Sequence, residues 1–303
     1  MTSKIVQDVL SWDKFSEVTK NEKIYPPKKI DLFNRLIAST ENFFVIGAIG
    51  AFVPGYTMIV TKKLIPSLAL IEDDQRNELD WLIKILSKSI SDIYGKEITM
   101  FEHGMCACIG GLDRAHLHMM PITKGLGDDK IINCINRALV RRRAGISSVE
   151  VDGYKFENIH DITEIMNGSE EGSYKINGKQ LHYPDIKNLD VDDWPFSTRP
   201  VVLKGGHYVL FKTSSSTTSF LTNKNFNTQL GREIVYEIEK ENNPAISELN
   251  EKILKKNSYA NVWKWQEFSF KENIYSTMNE LIDPLKEVFE KNNEFNFQVS
   301  LTR

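Results

Sequence analysis

The sequence predicts an α+β fold with a mostly antiparallel sheet and flanking helices. Three observations carry this. Strand-like segments come first, then one long amphipathic helix, then strands again. Turn residues such as Pro54-Gly55 punctuate the strands. With 303 residues, 41% hydrophobic and 26% charged, the chain has the make-up of a soluble globular protein with a sizeable core.

Taken in order, residues 1–41 show helical patches broken at "YPPKK", Tyr25 to Lys29. "ENFFVIGAIGAF" is β-rich, Pro54-Gly55 reads as a turn, and "YTMIVTKK" from Tyr56 runs apolar as a strand. Glu72 to Tyr94 has acids in its first turn, with Leu79, Leu82, Ile83, Leu86 and Ile90 at helical spacing. "EITMFEHG" is a strand, "MCACIGGLD" a loop and "RAHLHMMPI" a second strand that Pro121 should end. A helix is expected over Lys130 to Arg143, then hairpins and loops from Val149 to Asp193. "GGHYVLFK" reads as a strand and "SSSTTS" as a loop, while "GREIVYEIEKE" and "ENIYSTMNELIDPLKEVFEK" read as helices. The expected division is a core over residues 1–125 and a mixed α/β extension over residues 126–303.

Composition excludes several classes. A net charge of -3 argues against a mainly electrostatic nucleic-acid binder. Three cysteines make no disulfide framework, so the cytosol is the expected compartment. "MTSKIVQDVLSWDKF" carries acids and lacks the apolar run of a signal peptide. "FFVIGAIGAFVPGY" is interrupted by glycine and proline and is shorter than the roughly 20 residues a spanning helix needs, so no membrane partner is expected.

The chemistry concentrates in "GGLDRAHLHMMP", residues 110–121. Side chains on a strand alternate faces, so Arg114, His116 and His118 share one face, and Ala115, Leu117 and Met119 share the other. A lone His-x-His is most simply a solvent-facing strand. Here, however, Gly110 and Gly111 precede it and can present backbone amides to an anion. The strand carrying Glu102 and His103 ends one loop away, and "VPGYTMIV" adds a third strand edge. Imidazoles, amides and an arginine converging on one place suit a phosphate.

"AHLHMMP", with "FEHG…GGLDR" before it and "VPGYTMIVTKK" further upstream, resembles the histidine-triad superfamily of nucleotide hydrolases and transferases over residues 40–122. The family's signature is H-x-H-x-H followed by apolar residues, with an upstream P-G-H strand. "FEHG" is also similar to a strand of the galactose-1-phosphate uridylyltransferase branch. The resemblance implies that His116 is the nucleophile that attacks an α-phosphorus and forms a nucleotidyl-histidine intermediate. It implies that His118 contacts phosphate oxygens, that Gly110 and Gly111 approach the phosphates, and that Glu102, His103 and Lys62 border the substrate. Three positions depart from the pattern. Arg114 stands for the first histidine, Tyr56 for the histidine of the P-G-H turn, and Ala48 for a ribose-binding Asp or Asn.

Imidazole attacks only when unprotonated. Arg114 as a like charge would disfavour imidazolium at His116, and its guanidinium can grip phosphate oxygens as a fork. The expected function is therefore a nucleotide hydrolase working through His116. A nucleotidyltransferase or phosphorylase of the same superfamily and a non-catalytic nucleotide-binding protein are the alternatives. The scheme requires no metal and no cofactor. The substrate is a nucleotide or nucleotide conjugate, and a homodimer is expected because dimerisation is common in the family.

Other features have simpler readings. Cys106 and Cys108 with the nearby histidines could hold zinc, but C-x-C is not the usual structural spacing and small loop residues are the plainer account. Arg141-Arg142-Arg143 reads as a solvated helix end, the alternative being a clamp for distal phosphates. Lys63 shares the strand end with Lys62, and Trp263 and Trp265 read as core or interface aromatics. His207 could enter a site from the second half, while His160 and His182 carry no signal.

Overall fold

The computed structural model describes residues 35–63, 65, 67–104, 108–109, 112–126, 130–131, 134, 149–151, 154–156, 173–176, 179–182, 194–196, 199, 207–213, 217–222, 230–246, 270–291 and 298–299. In chain order the strands are β1 Leu36–Ser39, β2 Phe43–Gly47, β3 Thr57–Thr61, β4 Glu97–Gly104, β5 Cys108–Ile109, β6 Leu112–Asp113, β7 His116–Ile122, β8 Val149–Val151, β9 Tyr154–Phe156, β10 Ser173–Ile176, β11 Lys179–His182, β12 His207–Lys212, β13 Thr217–Thr222 and β14 Gln298–Val299. The longer helices are α1 Asp73–Tyr94, α2 Leu230–Glu239 and α3 Lys271–Glu290.

One eight-stranded sheet runs in the order β13-β12-β4-β7-β3-β2-β1-β14, and every neighbouring pair in it is antiparallel. The fold is thus α+β with flanking helices. The pairs β5–β6, β8–β9 and β10–β11 form small separate hairpins. Residues beyond 125 supply β12, β13 and β14 to the same sheet and all of α2 and α3.

α1 begins with Asp73 and Asp74 in its first turn, where acids complement the helix dipole. Its buried stripe includes Leu79, Leu82, Leu86 and Ile90. It packs on β4, β7 and α3, and α3 packs on β1 and β2. Two buried polar residues of α1 tie down the β1–β2 turn. Glu78 accepts from the backbone of Asn42 at 2.9 Å and from its amide at 2.6 Å, and Gln75 donates to that amide oxygen at 3.0 Å. α2 packs on β7 and β4 from the other side.

Several details differ from the sequence reading. Leu36–Ser39, expected within a helical patch, is a strand because it pairs with both β2 and β14. β7 continues through Pro121 to Ile122. Its ladder to β3 ends at Met119, so at Pro121 only β4 is paired and the missing N–H costs one strand edge nothing. β13 begins at Thr217 inside the expected "SSSTTS" loop, and its β-branched threonines suit a strand. Of the helix expected over Lys130 to Arg143, Lys130, Ile131 and Cys134 are helical; Arg141, Arg142 and Arg143 lie outside the described residues, as do residues 1–34, Cys106, His160, Trp263 and Trp265.

Candidate active site on the histidine face

The register of β7 against its neighbours defines the site. His118 stands opposite Phe101 on β4 and opposite Met58 on β3, and His116 stands opposite Val60. Period two then puts His103, Phe101, His116 and His118 on one face of the sheet. Leu117, Met119 and Pro121 face α1 and are buried. Phe101 stacks flat on His118, with centroids 4.1 Å apart and planes 12° apart. The His116 ring meets His118 edge-on at 4.8 Å.

Hydrogen bonding fixes opposite tautomers in the two rings. His116 Nδ1 lies 2.9 Å from the backbone oxygen of Arg114. A carbonyl only accepts, so Nδ1 carries the proton and the free lone pair is on Nε2. His118 Nδ1 bonds the hydroxyl of Tyr56. That hydroxyl accepts from Arg232 Nε at 3.1 Å, which leaves its own proton for His118. His118 therefore carries its proton on Nε2. One ring offers a lone pair and its neighbour offers a donor.

Both rings are held neutral. His116 is half-buried, and its pKa falls to about 4, mainly because burial penalises the cation, with the Arg232 guanidinium adding to it and the Arg114 carbonyl opposing it. His118 is pushed well below its ordinary value by burial first, then by repulsion from His116 whenever that ring is protonated, from the Arg232 guanidinium, and from His103 likewise when protonated. The cation that acts on His116 is thus Arg232, from the chain's second half, rather than the neighbouring Arg114.

Arg232 is buried at 8% exposure and anchored at both ends of its guanidinium, with Nη2 donating to Ile49 O at 2.6 Å and the group lying 5.6 Å from the Tyr56 ring centre. Two features place it. Thr277 Oγ1 of α3 accepts from Gly55 N at 2.7 Å, fixing the turn before Tyr56. Gly55 has φ +85, and any Cβ there would strike the Tyr94 ring. Gly231 lets α2 approach Phe101 so closely that a Cβ would overlap its ring.

The other expected site residues divide. His103 is buried on the histidine face and close enough to act on His118. Glu102 points to the opposite face, where Oε1 accepts from Leu68 N at 2.7 Å. Lys62 Nζ donates to Thr40 O and sits 5.0 Å over the Phe44 ring. The Arg114 side chain is 1% exposed, and its Nη1 donates to the carbonyls of Thr61, at 2.8 Å, and Lys62 at the end of β3. Its Nε and Nη2 have no partner among the described residues, and burial alone lowers its pKa to about 10. Gly110 and Gly111 lie outside the described residues. Ala48 is fully buried beside Tyr56, whose backbone oxygen accepts from Ala48 N at 3.2 Å. Among the described residues no three His, Cys, Asp or Glu are grouped to hold a metal ion. No described helix is long and apolar enough to cross a membrane.

The sequence reading missed Arg232. Its only local signal is a Gly-Arg pair opening a helix, and that says nothing about which strand the helix meets. Tyr56 stood out as a departure from a motif, and in the structure its hydroxyl supplies the bond to His118.

Fold and site together define an antiparallel α+β protein with a neutral, oppositely tautomeric histidine pair on one sheet face. No protein-family model matches the chain, and no curated protein sequence matches it. Among solved structures, it is similar to a crystal structure of a HIT-like protein from Bartonella henselae, involved in cell-cycle regulation and holding an unknown ligand, at 15% identity and a TM-score of 0.27, covering 35% of this chain and 78% of that one.

Proposed function

We propose that this chain is a nucleotide hydrolase that works at the α-phosphate through a nucleotidyl intermediate on His116. The observation that carries the proposal is the Nε2 lone pair of His116, left free by the Nδ1 bond to Arg114 O and unprotonated at neutral pH. Nε2 attacks the α-phosphorus, and the bond from phosphorus to the leaving oxygen breaks with its electron pair. A phosphate-type leaving group departs as an anion and needs no proton. Water then attacks phosphorus, the P–N bond breaks back to Nε2, and the water proton passes to solvent. His118 Nε2–H, as a neutral donor beside the attacking nitrogen, supports charge on the phosphoryl oxygens. Arg114 is a candidate to support the same charge, since its Nε and Nη2 have no partner among the described residues.

The resemblance of "AHLHMMP" and "VPGYTMIV" to the histidine-triad superfamily supports the same reading. A nucleotidyltransferase is the second reading, favoured by the second half's contribution of Arg232 to the site and of β12 beside β4. In both readings the substrate is a nucleotide or nucleotide conjugate, and Gly110, Gly111, His103 and Lys62 are candidates to border it.

The test is incubation with α-labelled nucleotides and a search for an acid-labile, base-stable adduct. The expected result is an adduct and turnover in the wild type, both lost by a thousandfold or so in His116→Ala. Full turnover in His116→Ala would overturn the proposal, and nucleotide binding without any adduct would favour a non-catalytic binder. Adding phosphate or a sugar phosphate as acceptor separates transferase from hydrolase.

A further inference from the structure

We propose that Arg232 is a positioning residue that acts through the Tyr56 hydroxyl on His118, fixing the Nε2–H tautomer and keeping that ring a neutral donor. The chemical use of that donor rests on the reaction proposed above; the tautomer does not.

The inference follows from proton accounting in a closed space. Tyr56 is fully buried. Its oxygen has two described polar neighbours, Arg232 Nε at 3.1 Å and His118 Nδ1. The guanidinium can only donate. Were His118 Nδ1 also protonated, both neighbours would donate to the hydroxyl, and the Tyr56 proton would have no acceptor. A buried hydroxyl proton without a partner costs about 1–3 kcal/mol. The arrangement without an orphan runs Arg232 Nε–H to Tyr56 O, then Tyr56 O–H to His118 Nδ1. The direction of the chain is set at its cationic end, because arginine cannot reverse its role.

The surroundings reinforce this. From β7 itself His118 faces His116; from β4 it faces His103 and Phe101; from β3 it stands opposite Met58; the turn before β3 brings Tyr56, and α2 brings Arg232. The Arg232 guanidinium, and His116 or His103 whenever either is protonated, oppose its second proton, so imidazolium is disfavoured. Phe101, stacked on the ring, holds the plane in which Nε2 points. A ring that cannot take a second proton cannot serve as a general acid by gaining and losing one. It can only donate its existing Nε2–H, which suits an already anionic phosphate oxygen beside the His116 lone pair.

The experiment uses the full chain labelled with ¹⁵N-histidine, without nucleotide, and long-range ¹⁵N–¹H correlation spectra across pH. His116→Gln and His118→Gln assign the two rings by loss of their signals. The expected wild-type result is protonated Nε2 on His118 and protonated Nδ1 on His116. In Tyr56→Phe, which removes one oxygen, the His118 signals shift to a tautomer mixture. In Arg232→Met the His118 midpoint rises, and Arg232→Lys restores part of that shift. Tyr56→Phe also lowers kcat about tenfold or more with KM nearly unchanged, since an oriented donor to the charge that grows in the transition state is lost and ground-state binding is not. A His118 ring protonated on Nδ1 in the wild type would overturn the proposal. So would a tautomer and midpoint unmoved in Tyr56→Phe, which holds even if Arg232→Met fails to fold. Because the spectra need no substrate, they decide the tautomer whether or not the chain turns nucleotides over.

Discussion

The two faces of the sheet's centre are built from different materials. On one, α1 and α3 bury Leu79, Leu82, Leu86, Ile90, Ile274, Leu281 and Leu285, and the directional bonds of Gln75, Glu78 and Thr277 there go to turns at the strand ends rather than to the sheet's centre. On the other, α2 is buried from Gly231 to Glu239 yet carries Arg232, Glu233, Glu237 and Glu239 inward. Its first turn reaches Tyr56 and Phe101, and its last reaches Lys96 at 2.6 Å and the backbone of Thr123 through Glu239. One face needs volume filled; the other needs particular atoms bonded to particular atoms. Dispersive packing tolerates exchange of like for like, while a buried polar network fails when one partner goes.

The largest stability effect should fall on the apolar face. Leu86→Ala deletes a fully buried side chain and should cost about 2–5 kcal/mol, read by urea unfolding. The histidine tautomers of the remaining folded protein should be those of the wild type. If the tautomers change, the two faces are coupled through the sheet and the contrast drawn above is wrong.

Gly231→Ala attacks the other face with a single methyl. The new Cβ overlaps the ring of Phe101, which cannot give way without leaving His118. Overpacking of this kind should cost about 1–3 kcal/mol. Unlike Leu86→Ala, it should disturb the His118 signals even where the protein remains folded. Undisturbed signals would mean that α2 moves instead of the ring.

Part of this contrast is legible in the sequence. The histidine row, the strand carrying His103 and the helix from Asp73 follow from local periods of two and 3.6, which tertiary structure preserves. Glu102 illustrates the same rule: one step along the strand from His103, it lands on the other face and binds Leu68 N. Arg232 was not legible. It lies 176 residues from Tyr56, and no local pattern specifies a bond over that distance. β1 and the edge strand β14 escaped for a related reason, because short strands owe their form to their partners rather than to their own composition. Arg114 was readable as a member of the row, but the direction of a long flexible side chain was not.

Acid should separate the faces further. Both histidines have depressed pKa values in the folded protein, His116 down to about 4. The unfolded chain takes up those protons near the ordinary value of about 6.5. Stability is therefore complete above that value and is lost as pH falls toward 4, by at most about 1.4 kcal/mol per pH unit for each histidine. Urea midpoints at pH 7, 6 and 5 should show this slope in the wild type and in Leu86→Ala alike. His116→Gln should lessen it and leave the share due to His118. An unchanged slope in that variant would place the acid sensitivity elsewhere.

The smallest stability effect is expected at Arg114. Arg114→Met loses two bonds to the carbonyls of Thr61 and Lys62. It also removes a buried cation whose Nε and Nη2 have no partner among the described residues and whose pKa burial alone depresses. These terms oppose each other, and the net change should lie within about 1 kcal/mol. The bond that orients His116 comes from the Arg114 backbone, so the His116 tautomer should survive the substitution. If the unpartnered nitrogens serve phosphate, KM for the nucleotide rises severalfold while the His116 signals stay in place. A stability loss of several kcal/mol with KM unchanged would instead make Arg114 a clamp on the end of β3 and leave the phosphate to His118 and Arg232's relay.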